Sequence, residues 1–291
     1  MIVQRPLIFG PGNRLVGVLA APRGPAHTPA FVFLNAGLVH RVGPHRLHVK
    51  VARALAGRGL PSLRFDLSGL GDSAAARGDT PFKDVAIADT RAALDAVEAG
   101  PNWRDIVLFG LCSGADIALR VALEDPRVTG LVLVNPTDLS PQCEHDPEDS
   151  TREARASLQM RLYRGRLFRW GSWMRLLRGK SDVRAIGRTA IMAARRLLPC
   201  FRPGREIPLN DCRTFLTRGR ALVILAEGSV SWDMFHKPLS GLAHAHPGLE
   251  LRTLRGADHI LTPSHSQVSL MKSLDEWLDG WPSASPPPDA R

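Results

Sequence analysis

Two nucleophilic side chains stand side by side in the run FGLCSGADIA, residues 109–118: the thiol of Cys112 and the hydroxyl of Ser113. Gly110 and Gly114 bracket the thiol two residues away on either side. A sharp strand-to-helix turn that lifts its central side chain clear of a sheet needs small residues at those places, because its backbone segments crowd together. Centring the frame on Ser113 would put Leu111 and Ala115 there, a worse steric fit. The spacing therefore points to Cys112 as the attacking group. A helix beginning just after it is expected to lower the thiol pKa, and the thiolate is the nucleophilic form. The backbone N–H of Ser113 would supply one donor of an oxyanion hole.

A nucleophile of this kind needs a base, and in a fold built around such a strand-to-helix turn the base comes later in the chain. RGADHILTP (255–263) puts His259 in a loop before the last helix, where it can take that role. The acid that orients it should follow the strand-like run ALVILAEG. Asp233, beyond the loop and near a helix start, is the preferred candidate. Glu227 at the strand end is the alternative, and Asp138 after the preceding strand is a third. The second oxyanion donor is expected from the loop Asn35–Ala36–Gly37–Leu38, as the N–H of Gly37 or Leu38, with the Asn35 amide bracing the loop. RFDLSGLGDS (64–73) is glycine-rich but lacks the Lys–Ser/Thr ending of a phosphate cradle. Its Asp66, Gly69, Gly71 and Asp72 read as structural.

The elements that must position these groups alternate. A hairpin beginning near Leu7 includes a strand over 14–22. The continuous apolar run 30–37 is a buried strand, followed by a helix over 43–59 whose Leu47, Val51, Ala54 and Leu55 recur at helical spacing. A strand at 60–66 comes next, then a helix over 80–99 with Thr80 as N-cap and Pro81 at its first position. Strand 105–110, helix 113–125 and strand 128–136 complete the run. Strand–helix alternation with buried strands predicts an α/β fold around a mostly parallel sheet. The pattern stops over 137–215 and resumes with strand 220–228, helix 231–245, strand 249–256 and helix 264–281. The expected organisation is a core of 1–136 and 216–281, a helical insertion at 137–215, and a Pro/Ser-rich disordered tail at 282–291.

These motifs, in this order, resemble the α/β-hydrolase superfamily over residues 30–136 and 220–280. The stretch FLNAGLVHRVGPHRLHVKVARALAGRGLPSLRFDLSGLGDS and the elbow GLCSGAD are similar to bacterial hydrolases found with exosortase and surface-polysaccharide systems. The Cys nucleophile also resembles that of dienelactone hydrolases, whose cap and loop motifs differ. The resemblance implies a central sheet flanked by helices, a helical cap at 137–215, and a catalytic triad of Cys112, His259 and Asp233. It implies esterase or thioesterase chemistry through an acyl-Cys intermediate, with water or another acyl acceptor. The more usual acid motif carries Asp soon after a Gly, at the place Ser229 holds here.

Charge sharpens the expectation for the insertion. The chain carries +10 overall, and between Thr151 and Arg205 fourteen Arg and one Lys face only Glu153 and Asp182, a local +13 that leaves −3 for the rest. Such a segment suits an acidic acyl carrier protein or an anionic membrane surface as partner. Trp170, Trp173, Met174 and Leu177 fall on one helical face there, fit for packing on the core or lining an acyl channel. No nucleic-acid motif accompanies the basic residues, so nucleic acid is not expected. The four cysteines show no CxxC or His-paired spacing, so neither a metal nor another cofactor is expected. Without an apolar run of membrane-spanning length or a leader-like start, the chain reads as cytoplasmic. A non-catalytic binding protein on the same fold is the alternative.

Overall fold

The computed structural model describes residues 2–76, 78–100, 103, 105–139 and 209–281. They belong to one compact unit built from 1–142 and 208–291. Its centre is an eight-stranded sheet: β1 (Ile2–Phe9), β2 (Leu15–Pro22), β3 (Ala30–Phe33), β4 (Ser62–Phe65), β5 (Ile106–Leu111), β6 (Val128–Val134), β7 (Arg220–Ala226) and β8 (Leu249–Leu254). The spatial order is β1-β2-β4-β3-β5-β6-β7-β8. β1 with β2 and β2 with β4 are antiparallel, and every pair from β4–β3 onward is parallel.

The central strands are uninterrupted apolar runs because helices cover both faces. β3 and β5 are buried at every position. Along them, alternate residues divide between the two faces. Phe31, Phe33, Val107, Phe109, Leu111, Val132, Val134, Leu222 and Ile224 join one core cluster. α1 (Leu47–Gly57) and α6 (Ser264–Asp279) close it with Leu47, Val51, Leu55, Leu270, Leu274 and Trp277. α2 (Phe82–Glu98) and α4 (Asn210–Leu216) both pack against α3 (Ser113–Glu124), and α5 (Val230–Ala245) lies along β7 and β8.

Several boundaries differ from the expected ones. β1 begins at Ile2, well before Leu7. It is an edge strand exposed at most of its positions, so no inward-facing apolar alternation marks it. β3 ends at Phe33, which releases Leu34–Gly37 as a loop. α2 starts after Pro81, and no side chain caps it, so Thr80 does not have the capping role. α5 starts at Val230, capped by Ser229, whose hydroxyl accepts from Ser231 N. Residues 137–139 and 209–215, expected in the insertion, lie in this unit. Leu139 is fully buried and α4 packs on α3 and β7. The remainder of the expected insertion, with Trp170, Trp173, Met174, Leu177 and the basic segment 151–205, lies outside the described residues, as does the tail 282–291. Among the described residues no helix is long and apolar enough to cross a membrane.

Candidate active site

β5 runs straight into α3, and Cys112 is the hinge between them. Its backbone sits at φ 58, ψ −129, a region where a non-glycine residue costs of order 1–3 kcal/mol. Two glycines make the turn possible by leaving room. A Cβ on Gly110 would lie 2.3 Å from the carbonyl oxygen of Gly114, and one on Gly114 would lie 2.5 Å from the carbonyl oxygen of Asn35. The turn is held from below by Cys112 N donating to Val134 O at 2.9 Å. Cys112 thus stands at the carboxyl end of the parallel sheet, half-buried against the core.

His259 is brought to the same end by a different device. Asn135, the residue after β6, is fully buried. Its Nδ2 donates to His259 O at 2.8 Å, and its Oδ1 accepts from Ala226 N at 2.8 Å. One amide therefore ties the histidine loop to the ends of both β6 and β7. Gly228 N donates to Ala257 O at 2.8 Å, which seats the loop after β7 beside it. Ser229 Oγ consequently lies 2.8 Å from His259 Nδ1, and 3.1 Å from Ser231 Oγ.

The acid expected at Asp233 is therefore not the group on the ring. Because α5 begins at Val230, Asp233 falls in the first helical turn on an exposed position, and the side chain at hydrogen-bond distance from Nδ1 is the buried Ser229. Glu227 is turned elsewhere: its carboxylate accepts from Gly256 N at 3.2 Å. Asp138 donates its N–H to Asp116 at 2.9 Å. Asp116, one turn into α3, also accepts from Thr137 N at 2.9 Å and from the Thr137 hydroxyl, so it fastens α3 to the end of β6. Burial pushes the Asp116 carboxyl up to about 7, against the pull of those hydrogen bonds.

Burial also decides the electrostatics of the pair. It raises the Cys112 thiol to about 11, outweighing the hydrogen bond from the Ser113 backbone, with the Asp116 charge adding to the rise. The depression expected from the helix N-terminus is thus reversed, as happens for a thiol in apolar surroundings. Burial lowers His259, and nearby Asp258 raises it only in part. The resting pair is a neutral thiol and a neutral imidazole, and no hydrogen bond joins Cys112 to the ring among the described residues.

The oxyanion candidates are split. Gly37 N already donates to Ser113 Oγ at 3.0 Å, while Leu38 N has no hydrogen-bond partner among the described residues. Asn35 braces this turn: its Nδ2 donates to Val39 O at 2.8 Å and its Oδ1 accepts from Leu67 N at 3.0 Å. Asp66 is fully buried, accepting from the Arg41 backbone and side chain and from Asp72 N, a structural knot as its loop suggested. Among the described residues no group of three His, Cys, Asp or Glu side chains could hold a metal.

The family model for Hydrolase_4, described as serine aminopeptidase S33, matches residues 30–167, somewhat less than half of the chain. No curated protein matches in sequence. Solved structures do. A putative α/β-hydrolase of unknown function from Agrobacterium tumefaciens is 16% identical with a TM-score of 0.58, covering 98% of this chain and 100% of that one. An esterase from Pyrococcus furiosus reaches a TM-score of 0.61 at 14% identity, covering 96% and 92%. A dienelactone hydrolase from Anabaena variabilis has a TM-score of 0.57 at 15% identity, covering 96% and 98%. With the strand order and the elbow, these likenesses establish that the chain has the α/β-hydrolase fold. The family description names a serine enzyme, and this chain carries Cys112 at the elbow.

Proposed function

We propose that the chain is a hydrolase or acyltransferase of the esterase/thioesterase type, acting on a small acyl ester or thioester through an acyl-Cys112 intermediate. The observation that carries this reading is the strained Cys112 turn at the sheet end where a buried amide also anchors His259. The order of events follows from the two neutral groups. With His259 Nδ1–H donated to Ser229 Oγ, and the Ser229 hydroxyl donated on to Ser231, the Nε2 lone pair is free to act as base. It takes the thiol proton as the sulfur–carbon bond forms, so no resting thiolate is required. The N–H groups of Ser113 and Leu38 receive the developing oxyanion. Collapse expels the alcohol or thiol, which takes the proton from His259, and water or another acceptor then repeats the sequence on the acyl-enzyme.

The match to an S33 family model and the esterase among the structural neighbours support this class of chemistry. The RVG-HR and GLCSGAD runs support a place among the exosortase-associated bacterial hydrolases. The basic segment 151–205 supports delivery of the acyl group by an acidic carrier or an anionic surface. The raised thiol favours one competing reading, a binding protein that has kept the fold without turnover. Mass spectrometry after mixing with p-nitrophenyl acetate separates the two. One acetyl group on the Cys112 peptide is expected. An unmodified Cys112, with no nitrophenol released, establishes the binding protein instead.

Ser229 gives a second, pH-dependent outcome. A ring whose pKa is lowered stays neutral and basic down to below 6.5, so kcat/KM should fall only under that pH. Ser229→Asp sets a carboxylate against Nδ1 and stabilises the imidazolium, which raises the ring pKa by about one unit or more. The acid limb of the pH profile is expected to move upward by that amount. An unmoved limb would show that Ser229 does not meet the ring during turnover.

A further inference from the structure

We propose that the Ser113 side chain is a positioning residue, fastening the oxyanion turn to the nucleophile helix through its hydrogen bond from Gly37 N. The inference rests on the acyl-transfer reading above. An oxyanion hole whose donors come from two separate chain segments works only if the gap between those segments is fixed. Here one donor belongs to α3 and the other to the turn 36–39. The turn closes on itself through Val39 N donating to Ala36 O at 3.1 Å. The Asn35 amide holds its far end to Leu67, and Arg41 N holds the following residues to Asp66. None of these bonds reaches α3.

Ala36 seats the start of the turn in the core, but its outer half has little side-chain packing to hold it, since Leu38 is 84% exposed and Val39 37%. The close approach of Gly114 to the Asn35 carbonyl brings the two segments into contact. The residue before Gly114 then spans the remaining distance, with Ser113 Oγ accepting from Gly37 N at 3.0 Å. Among the described residues this is the side-chain hydrogen bond that links the turn to the helix. Ser113 thus serves twice: its N–H faces the reacting oxygen, and its hydroxyl sets where the opposing donor stands. The hydroxyl also uses up the Gly37 N–H, so the donor presented to substrate is that of Leu38.

The test uses acyl-ester kinetics on the full chain. Ser113→Ala should lower kcat about tenfold with KM changed less than about twofold, since a displaced oxyanion donor matters in the transition state and not in substrate binding. Ser113→Thr keeps the γ-hydroxyl and should return kcat to within about threefold of wild type, with both variants melting at the wild-type temperature. A wild-type kcat in Ser113→Ala, a loss that threonine does not repair, or KM rising in step with the loss overturns the brace. Cys112→Ala run in parallel separates the two levels. If it is inactive while Ser113→Ala is undiminished, the brace alone fails. If Cys112→Ala is itself undiminished, the acyl-Cys reading fails first.

Discussion

Cys112→Ala is expected to lower kcat/KM for acyl esters by about a thousandfold or more, leaving the fold intact. The size of the effect follows from what the thiol does. In the proposed reaction it forms the covalent bond, and groups that act as one nucleophile–base unit commonly cost three or more orders of magnitude when any member is lost. For the same reason His259→Ala should lose nearly as much, and the double variant no more than Cys112→Ala alone, because a base without a nucleophile has nothing to deprotonate. Cys112→Ser should retain more activity than Cys112→Ala, since the glycine frame accepts a hydroxyl at its centre. Steady-state kinetics with short-chain p-nitrophenyl esters measures all four. Undiminished turnover in Cys112→Ala would remove the thiol from the chemistry. Strictly additive losses in the double variant would mean that Cys112 and His259 do not work as a pair.

The second large effect concerns stability. Gly110→Ala is expected to destabilise the protein by about 3 kcal/mol, at the upper end of overpacking costs. The added methyl would lie 2.3 Å from Gly114 O, 2.4 Å from Gly114 C and 2.5 Å from Ala115 N. These are backbone atoms of the helix that the elbow launches, so no flexible side chain can swing away. A loss of that size lowers the Tm of a chain this long by roughly 6–12 °C. Gly57→Ala is the control, because a Cβ there meets nothing within 4 Å and the site is the last residue of α1. It should leave Tm unchanged or slightly higher, by its helix propensity. Thermal melts of the two variants that coincide would mean the elbow is not crowded.

Much of this architecture can be read from the residues in order. The buried strands announce themselves as apolar runs, and the elbow as Gly110–Cys112–Gly114, because both depend on neighbours in sequence. What fails to show is whatever depends on depth or on distant partners. The helix behind Cys112 predicts an acidified thiol, but how far apolar surroundings press on it is settled by the folded core. Asn135 joins partners 91 and 124 residues away, and only the Asn–Pro pair ending a strand hinted at a special place. Ser229 does carry a local signal. A serine before Val230 is a ready N-cap, and a helix starting there carries Asp233 into its first turn. Edge strand β1 left no periodic trace because most of its side chains face water on both sides.

The amide of Asn135 has a bearing on how this protein can diversify. Cys112 N is bonded to Val134, and the next residue holds His259 and the end of β7. Cys112 and His259 are thus surveyed from one datum, the tip of β6, each a single hydrogen bond away. Alignment errors do not accumulate along the intervening loops, since no loop serves as the ruler. Segments that meet the substrate can then lengthen, shorten or change composition while the tolerances at the sulfur and the imidazole stay the same. Replacing Asn135 would loosen several tolerances at once.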